Sequence, residues 1–246
     1  MSEPISVTGA FSNVTPTTEQ PPALHILPPS RNWTPENFAR QQIRGLVRQV
    51  FFSNAVRPIR QVVFSPTEPG TEVGNLCQWV GRALAAEIAG SVAVVRRHPL
   101  TLNEAELQRG AATDQSGYRP SSNLQDAGSG TLRATAVPLL SNLWMVPTVA
   151  VEGEWIPDSR WHAHLCAVRR EFDYSIVEGP SAAEPNEAIA MAQLADGIIL
   201  VLSARYTRRA SARTIKERLV AAQARILGTV LTDRAFPIPE SLYKRL

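Results

Sequence analysis

The chain has 246 residues and a mass of 26.9 kDa, the size of one α/β domain with a tail, which excludes a large repeat array. With 44% hydrophobic and 19% charged residues it can bury a sizeable core without disulfides or metals. Its longest purely apolar run, Ile198 to Leu202, falls far short of the ~20 residues that span a bilayer. The net charge of +3 permits an acidic partner without requiring one.

Residues 1–33 are rich in Ser, Thr, Pro, Glu and Gln without sustained periodicity, which predicts a disordered or extended tail before a single domain over 34–246. The first residues show no basic segment followed by an apolar one, so the expected compartment is the cytoplasm. Thr34 and Pro35 open a predicted helix in which Phe38, Ile43, Val47 and Val50 recur at roughly helical spacing up to Phe52. Arg60–Ser65 reads as a strand, Pro66–Glu72 as a loop, about 74–89 as a helix and Val92–Val95 as a second strand. Near-continuous apolar strands in this order are the mark of parallel strands covered on both faces by helices.

Residues 97–140 are the least readable, and clustered Ser, Gly, Asp and Asn between 110 and 130 predict a long mobile loop. Beyond it a strand is expected at Leu143–Val146, a helix at Asp158–Arg170 and a strand from Tyr174 that closes on Glu178. Then follow a helix over 183–194, a strand over 197–203, a helix over 207–224 and a strand over 226–232. Gly228 inside that last strand suggests a close backbone approach. The segment Phe236 to Tyr243 carries no regular run. The fold expected is α/β, a doubly wound, mainly parallel sheet flanked by helices.

Two compositional features bear on chemistry. Of the 25 basic residues only Lys216 and Lys244 are lysine, so chemistry that needs a lysine in the first 215 residues is absent. Cys77 and Cys166, the only thiols, are expected to be packed and free. His162, His164 and Cys166 invite a metal reading, yet on a helix His162 and Cys166 share a face while His164 points elsewhere, so no metal is expected.

In an open parallel sheet ligands bind beyond the carboxyl ends of the strands, where a tight loop feeds a helix. Here that place is the loop after Ser65, and Ser65 to Asn75 followed by Ala83-Leu84-Ala85 has the outline of a phosphate loop. Phe172-Asp173-Tyr174-Ser175-Ile176-Val177-Glu178-Gly179-Pro180-Ser181 is similar to a family pattern F-D-Y-V-I-I-D-T-P-P. Leu194-Ala195-Asp196-Gly197-Ile198-Ile199-Leu200-Val201 is similar to L-A-D-G-V-L-L-V, Thr207-Arg208-Arg209 to T-x-R, and Ile226-Leu227-Gly228-Thr229-Val230-Leu231 to V-L-G-V-V-L-N. Upstream, Ile43 to Phe52 resembles F-R-S-L-R-T-N-L-L-F. Over about residues 36–240 the chain thus resembles the P-loop ATPases of the bacterial tyrosine-kinase family, which work with chain-length determinants in capsular and exopolysaccharide export. It resembles MinD/ParA ATPases more distantly.

The resemblance implies a P-loop NTPase-like domain whose nucleotide loop is Pro69, Gly70, Thr71, Glu72, Val73, Gly74 and Asn75. Aligned on P-G-E-G-K-S-T, this loop puts Val73 where the phosphate-contacting lysine belongs, Gly74 at the magnesium-binding serine and Asn75 at the threonine. A valine cannot neutralise phosphate charge and a glycine has no hydroxyl for Mg²⁺. The acidic D-x-D after the next strand is replaced by Arg96-Arg97, and the last acid survives as Glu178, followed by Gly179. No cofactor is therefore expected to be required, with ATP or ADP an optional occupant and Mg²⁺ lacking its usual ligands.

Plainer readings stand beside these. Gly70 and Gly74 can serve as turn and helix-start residues; Glu178 is either the catalytic acid or a buried carboxylate bonded to loop amides. Arg96 and Arg97 are a solvated pair, or they reach a phosphate or an acidic partner. In the first helix the family's E-x-x-R-x-x-R ring-assembly motif keeps Arg44, with Gln41 and Val47 at the other positions, so Arg44 is either an oligomer contact or part of an ordinary amphipathic face.

Three functions follow as expectations. The leading one is a catalytically degenerate kinase-like regulatory or scaffolding partner, bound to the cytoplasmic part of a membrane chain-length-determinant or polysaccharide-export protein. The second is an active ATPase or tyrosine kinase with a rearranged site. The third, a ParA-like nucleic-acid-binding module, ranks last because the arginines are spread along the chain.

Overall fold

The computed structural model describes residues 6–8, 35–53, 57–71, 73–97, 131–147 and 157–233. In chain order the elements are β1 (Ser6–Thr8), α1 (Pro35–Phe51), β2 (Gln61–Pro66), α2 (Gly74–Glu87), β3 (Val92–Val95), α3 (Leu132–Thr135), β4 (Val137–Leu140) and β5 (Leu143–Val146). They continue with α4 (Asp158–Glu171), β6 (Tyr174–Glu178), α5 (Pro185–Leu194), β7 (Gly197–Ser203), α6 (Arg209–Ala221) and β8 (Ile226–Thr232). The strands form one sheet in the order β1-β8-β7-β2-β6-β3-β5-β4. The six strands from β8 to β5 run parallel, and β1 and β4 close the two edges antiparallel.

Alternation along the strands divides the core in two, because successive side chains of a strand point to opposite faces. Val62, Phe64, Val92, Val94, Ile176, Ile199 and Val201 join Val47 and Val50 of α1 and Leu76, Val80 and Leu84 of α2 in one cluster. Their neighbours Val63, Ala93, Val95, Val177, Ile198 and Leu200 join Trp161, Leu165 and Val168 of α4, Met191 of α5 and Leu219 of α6 in the other. The expected doubly wound, mainly parallel α/β fold is present, with helices on both faces.

The expected boundaries hold to within a few residues, α5 and α6 each starting two residues later than their spacing suggests. Three elements depart from the reading. Within the segment taken as a tail, Ser6–Thr8 add a strand to β8. At the end of the hard-to-read stretch 97–140, α3 and β4 form, and β4 turns through Ser141-Asn142 to pair with β5. Its half-buried pattern and Pro138 suit an edge strand, and Asn142 holds the turn by donating from Nδ2 to the carbonyls of Ala85 and Ile88 at 2.9 and 3.0 Å. The expected mobile loop over 110–130 and the segment 236–243 lie outside the described residues.

Gly228 has open space where a side chain would lie, so close approach is not its reason. The β7–β8 register shifts between Ile198 and Ile199, pairing them with Ile226 and Gly228, which makes this glycine part of a bulge. The close approach is at Gly197 instead, where a methyl group would meet Leu227 Cγ at 2.6 Å and the Arg225 carbonyl oxygen at 2.8 Å.

Candidate functional site

β2 sits between β6 and β7, so its carboxyl end opens on the loop that feeds α2, flanked by the ends of both neighbours. Ser65 Oγ donates to the carbonyl of Pro180 after β6. Thr67 reaches the other side, its hydroxyl 2.9 Å from that of Thr207 after β7, and the amide of Ser203 donates to Thr207 Oγ1 at 3.0 Å. These side chains tie the loop to both flanking strands, a role for which short hydroxyl residues at strand ends carry no distinguishing sequence signal.

The loop itself is small. Pro69 and Gly70 are exposed, Thr71 is half-buried and its amide donates to the Glu68 carbonyl at 3.4 Å, and Gly70 has a φ of 81°, a conformation that favours glycine. Glu72 lies outside the described residues. Val73, at the position that the resemblance gives to a lysine, is 2% exposed and packs in the α1–α2 core. Gly74 opens α2 and is buried, whereas Asn75 is exposed. No side chain caps this helix start.

What faces Gly74 is Arg96. A methyl group on Gly74 would lie 2.9 Å from Arg96 Cζ, so the guanidinium rests directly on the first turn of α2. A helix amino terminus carries roughly half a positive charge, and a second cation there needs compensation. Glu178 provides it: Arg96 Nε and Glu178 Oε2 are 3.1 Å apart, and both side chains are about one-tenth exposed. The same carboxylate oxygen accepts the Arg97 amide at 3.2 Å. Arg97 turns its guanidinium to Glu187 in the first turn of α5, at 2.9 Å. Arg96 and Arg97 are therefore not the solvated pair of the plainer reading, since each meets an acid of this chain.

The charge pair reaches Cys77 one turn into α2. Burial first, then the nearby Glu178 carboxylate, push this thiol well above its ordinary pKa, against a smaller opposing pull from Arg96. Cys77 is free and packed, as expected; Cys166 is not packed but exposed on α4, 3.8 Å from His162 Nε2 on the same face. His164 points inward against Trp161, and burial lowers it to about 4. Among the described residues no group of three or more His, Cys, Asp or Glu is placed to hold a metal ion. Arg44 and Gln41 are exposed on α1, while Val47 is fully buried beneath them.

A magnesium–nucleotide complex would meet an apolar side chain turned into the core at 73, no hydroxyl at 74, and an acid already engaged by an arginine at 178. As they stand, these residues do not fit that group. Among the described residues no helix is long and apolar enough to cross a membrane.

Neither a protein-family model nor a curated protein sequence matches the chain. Solved structures do match in fold. The chimerical protein CapA2B2 superposes with a TM-score of 0.59 at 13% identity, over 78% of this chain and 83% of that one. The VpsO kinase domain gives 0.56 at 17%, over 81% and 98%, and the MinD cell division protein of Aquifex aeolicus gives 0.51 at 18%, over 76% and 72%. At such identities the likeness establishes the P-loop NTPase-like fold, and function has to be argued from the site.

Proposed function

We propose that this protein is a catalytically degenerate relative of the bacterial tyrosine kinases, a pseudo-kinase whose work is done by its surfaces as a regulatory or scaffolding partner in polysaccharide synthesis and export. The observation that carries this reading is the buried Arg96–Glu178 pair against Gly74. Phosphoryl transfer rests on positioning and on cations that neutralise developing phosphate charge. Here the nearby guanidinium is matched by a carboxylate of the same chain, so the charge that would attract a triphosphate is already balanced. The partner in this reading is the cytoplasmic part of a membrane chain-length-determinant protein, which would bring the chain to the inner membrane; the sequence's resemblance to the bacterial tyrosine-kinase family supports looking there, beside a fold shared with the VpsO kinase domain.

Calorimetry with ATP and ADP, with and without Mg²⁺, tests it on the full chain. The expected result is no saturable heat and no thermal stabilisation at millimolar nucleotide, together with co-purification of the chain with such a partner. Mg²⁺-dependent ATP turnover that disappears in Glu178→Gln would overturn the reading.

One observation favours a second reading, a rearranged ATP site in an active ATPase or tyrosine kinase. The Arg96 guanidinium lies at the start of α2, where a phosphate-binding cation is useful. Nucleotide binding that requires Mg²⁺ and is lost in Arg96→Ala would select it.

A further inference from the structure

At the opposite end of the sheet, the amino ends of β3, β5 and β6 border a cleft of about 570 Å³. Six residues of β2 separate it from the loop before α2, about 20 Å at the rise of an extended strand. Four arginines line it, Arg60 before β2, Arg133 on α3, and Arg169 and Arg170 at the end of α4, against two acids, Glu171 and Asp173. The acids offset only part of this charge: four arginines face two carboxylates, and Asp173 feels the charges of Arg60 and Arg133. Glu171 spends its two oxygens on the amides of Leu132 and Arg133, at 2.9 and 2.8 Å. Asp173 Oδ2 accepts both the amide and the hydroxyl of Ser91 at 2.8 Å. Among the described residues, Arg169 makes an ion pair with Asp196 at 2.7 Å.

Two aromatic rings hold Arg133 in place. Its guanidinium carbon lies 4.4 Å from the centre of the Trp144 ring and 5.2 Å from that of Phe172, so two π faces fix the plane while the N–H edges stay available for an acceptor. Arg60, Arg133 and Arg170 are all exposed. Arginines from three separate segments lining one recess match an anion with several acceptor oxygens spread in space.

We infer that this cleft binds a small soluble anion bearing two or more phosphate groups, which Arg60, Arg133 and Arg170 engage together. The site is separate from the loop before α2 and does not depend on whether that loop takes a nucleotide.

The test is calorimetric titration of the full chain with inorganic tripolyphosphate at physiological salt. Wild-type protein and three variants are compared: Arg60→Gln/Arg170→Gln in the cleft, Arg96→Gln at the α2 loop, and the exposed pair Arg208→Gln/Arg209→Gln as a net-charge control. Circular dichroism of each confirms folding; the cleft and control arginines are exposed, so their replacement leaves the core intact. One-site binding that weakens at least about tenfold in the cleft variant, and is retained in the control and Arg96→Gln variants, supports the proposal. Absence of binding, equal weakening in the control pair, or loss in Arg96→Gln alone overturns it.

Discussion

Arg96, the residue after β3, and Glu178, the last of the neighbouring parallel strand β6, meet at 3.1 Å beneath the first turn of α2. A pair this buried holds its place because each charge answers the other; removal of one leaves the other desolvated and unmatched. Glu178→Gln is therefore expected to destabilise the fold by about 3–5 kcal/mol, whereas Arg96→Met/Glu178→Met recovers most of that loss. Urea unfolding of the two variants beside wild type measures both numbers, and an undiminished midpoint in Glu178→Gln would contradict the account.

Gly179 follows Glu178 where the resembling family has threonine. A methyl group there would lie 2.5 Å from Val63 Cγ1 and 3.1 Å from the Phe64 carbonyl oxygen, so Gly179→Thr overpacks the junction of β2 and β6. The expected cost is about 2–3 kcal/mol, read as a lowered melting temperature, with no ATP turnover gained.

His164 adds a pH dependence. Its ordinary pKa is 6.5 and burial lowers it to about 4, so the unfolded chain takes up a proton in that interval which the folded chain refuses. Its contribution is complete above 6.5 and falls away as the pH drops toward 4, by about 3 kcal/mol over the whole interval. His164→Leu flattens this part of the stability curve in urea titrations at successive pH values. Asp173, held below the ordinary range chiefly by the Ser91 amide, loses its contribution only at lower pH. Asp196 behaves likewise: burial pushes it up, but bonds from Arg169, Arg60 and Gln61 outweigh that.

The two thiols should separate cleanly. An aromatic disulfide reagent is expected to label Cys166 in the native protein, with Cys77 reacting only after unfolding, because the thiolate is the nucleophile and burial disfavours it at Cys77. Mass spectrometry of the labelled peptides distinguishes them, and fast native labelling of Cys77 would show that the first turn of α2 opens.

The amino-acid order by itself determined the strands and their faces. Val62-Val63-Phe64, Ile176-Val177 and Ile198-Ile199-Leu200 are apolar at every position, so they need cover on both sides, and the intervening helical patterns supply it; this demand is local and can be read from spacing. The same order located the loop before α2 and marked Val73, Gly74, Arg96 and Glu178 as departures from the loop pattern it resembles. It could not say that Arg96 folds back onto Gly74 and closes on Glu178, because that pairing depends on β3 and β6 lying side by side. Nor could it assemble the cleft, whose Arg60, Arg133 and Arg170 come from three stretches of chain that only the sheet order brings together. Burial periodicity is written in neighbouring residues; the meeting of charges is decided by which strands become neighbours.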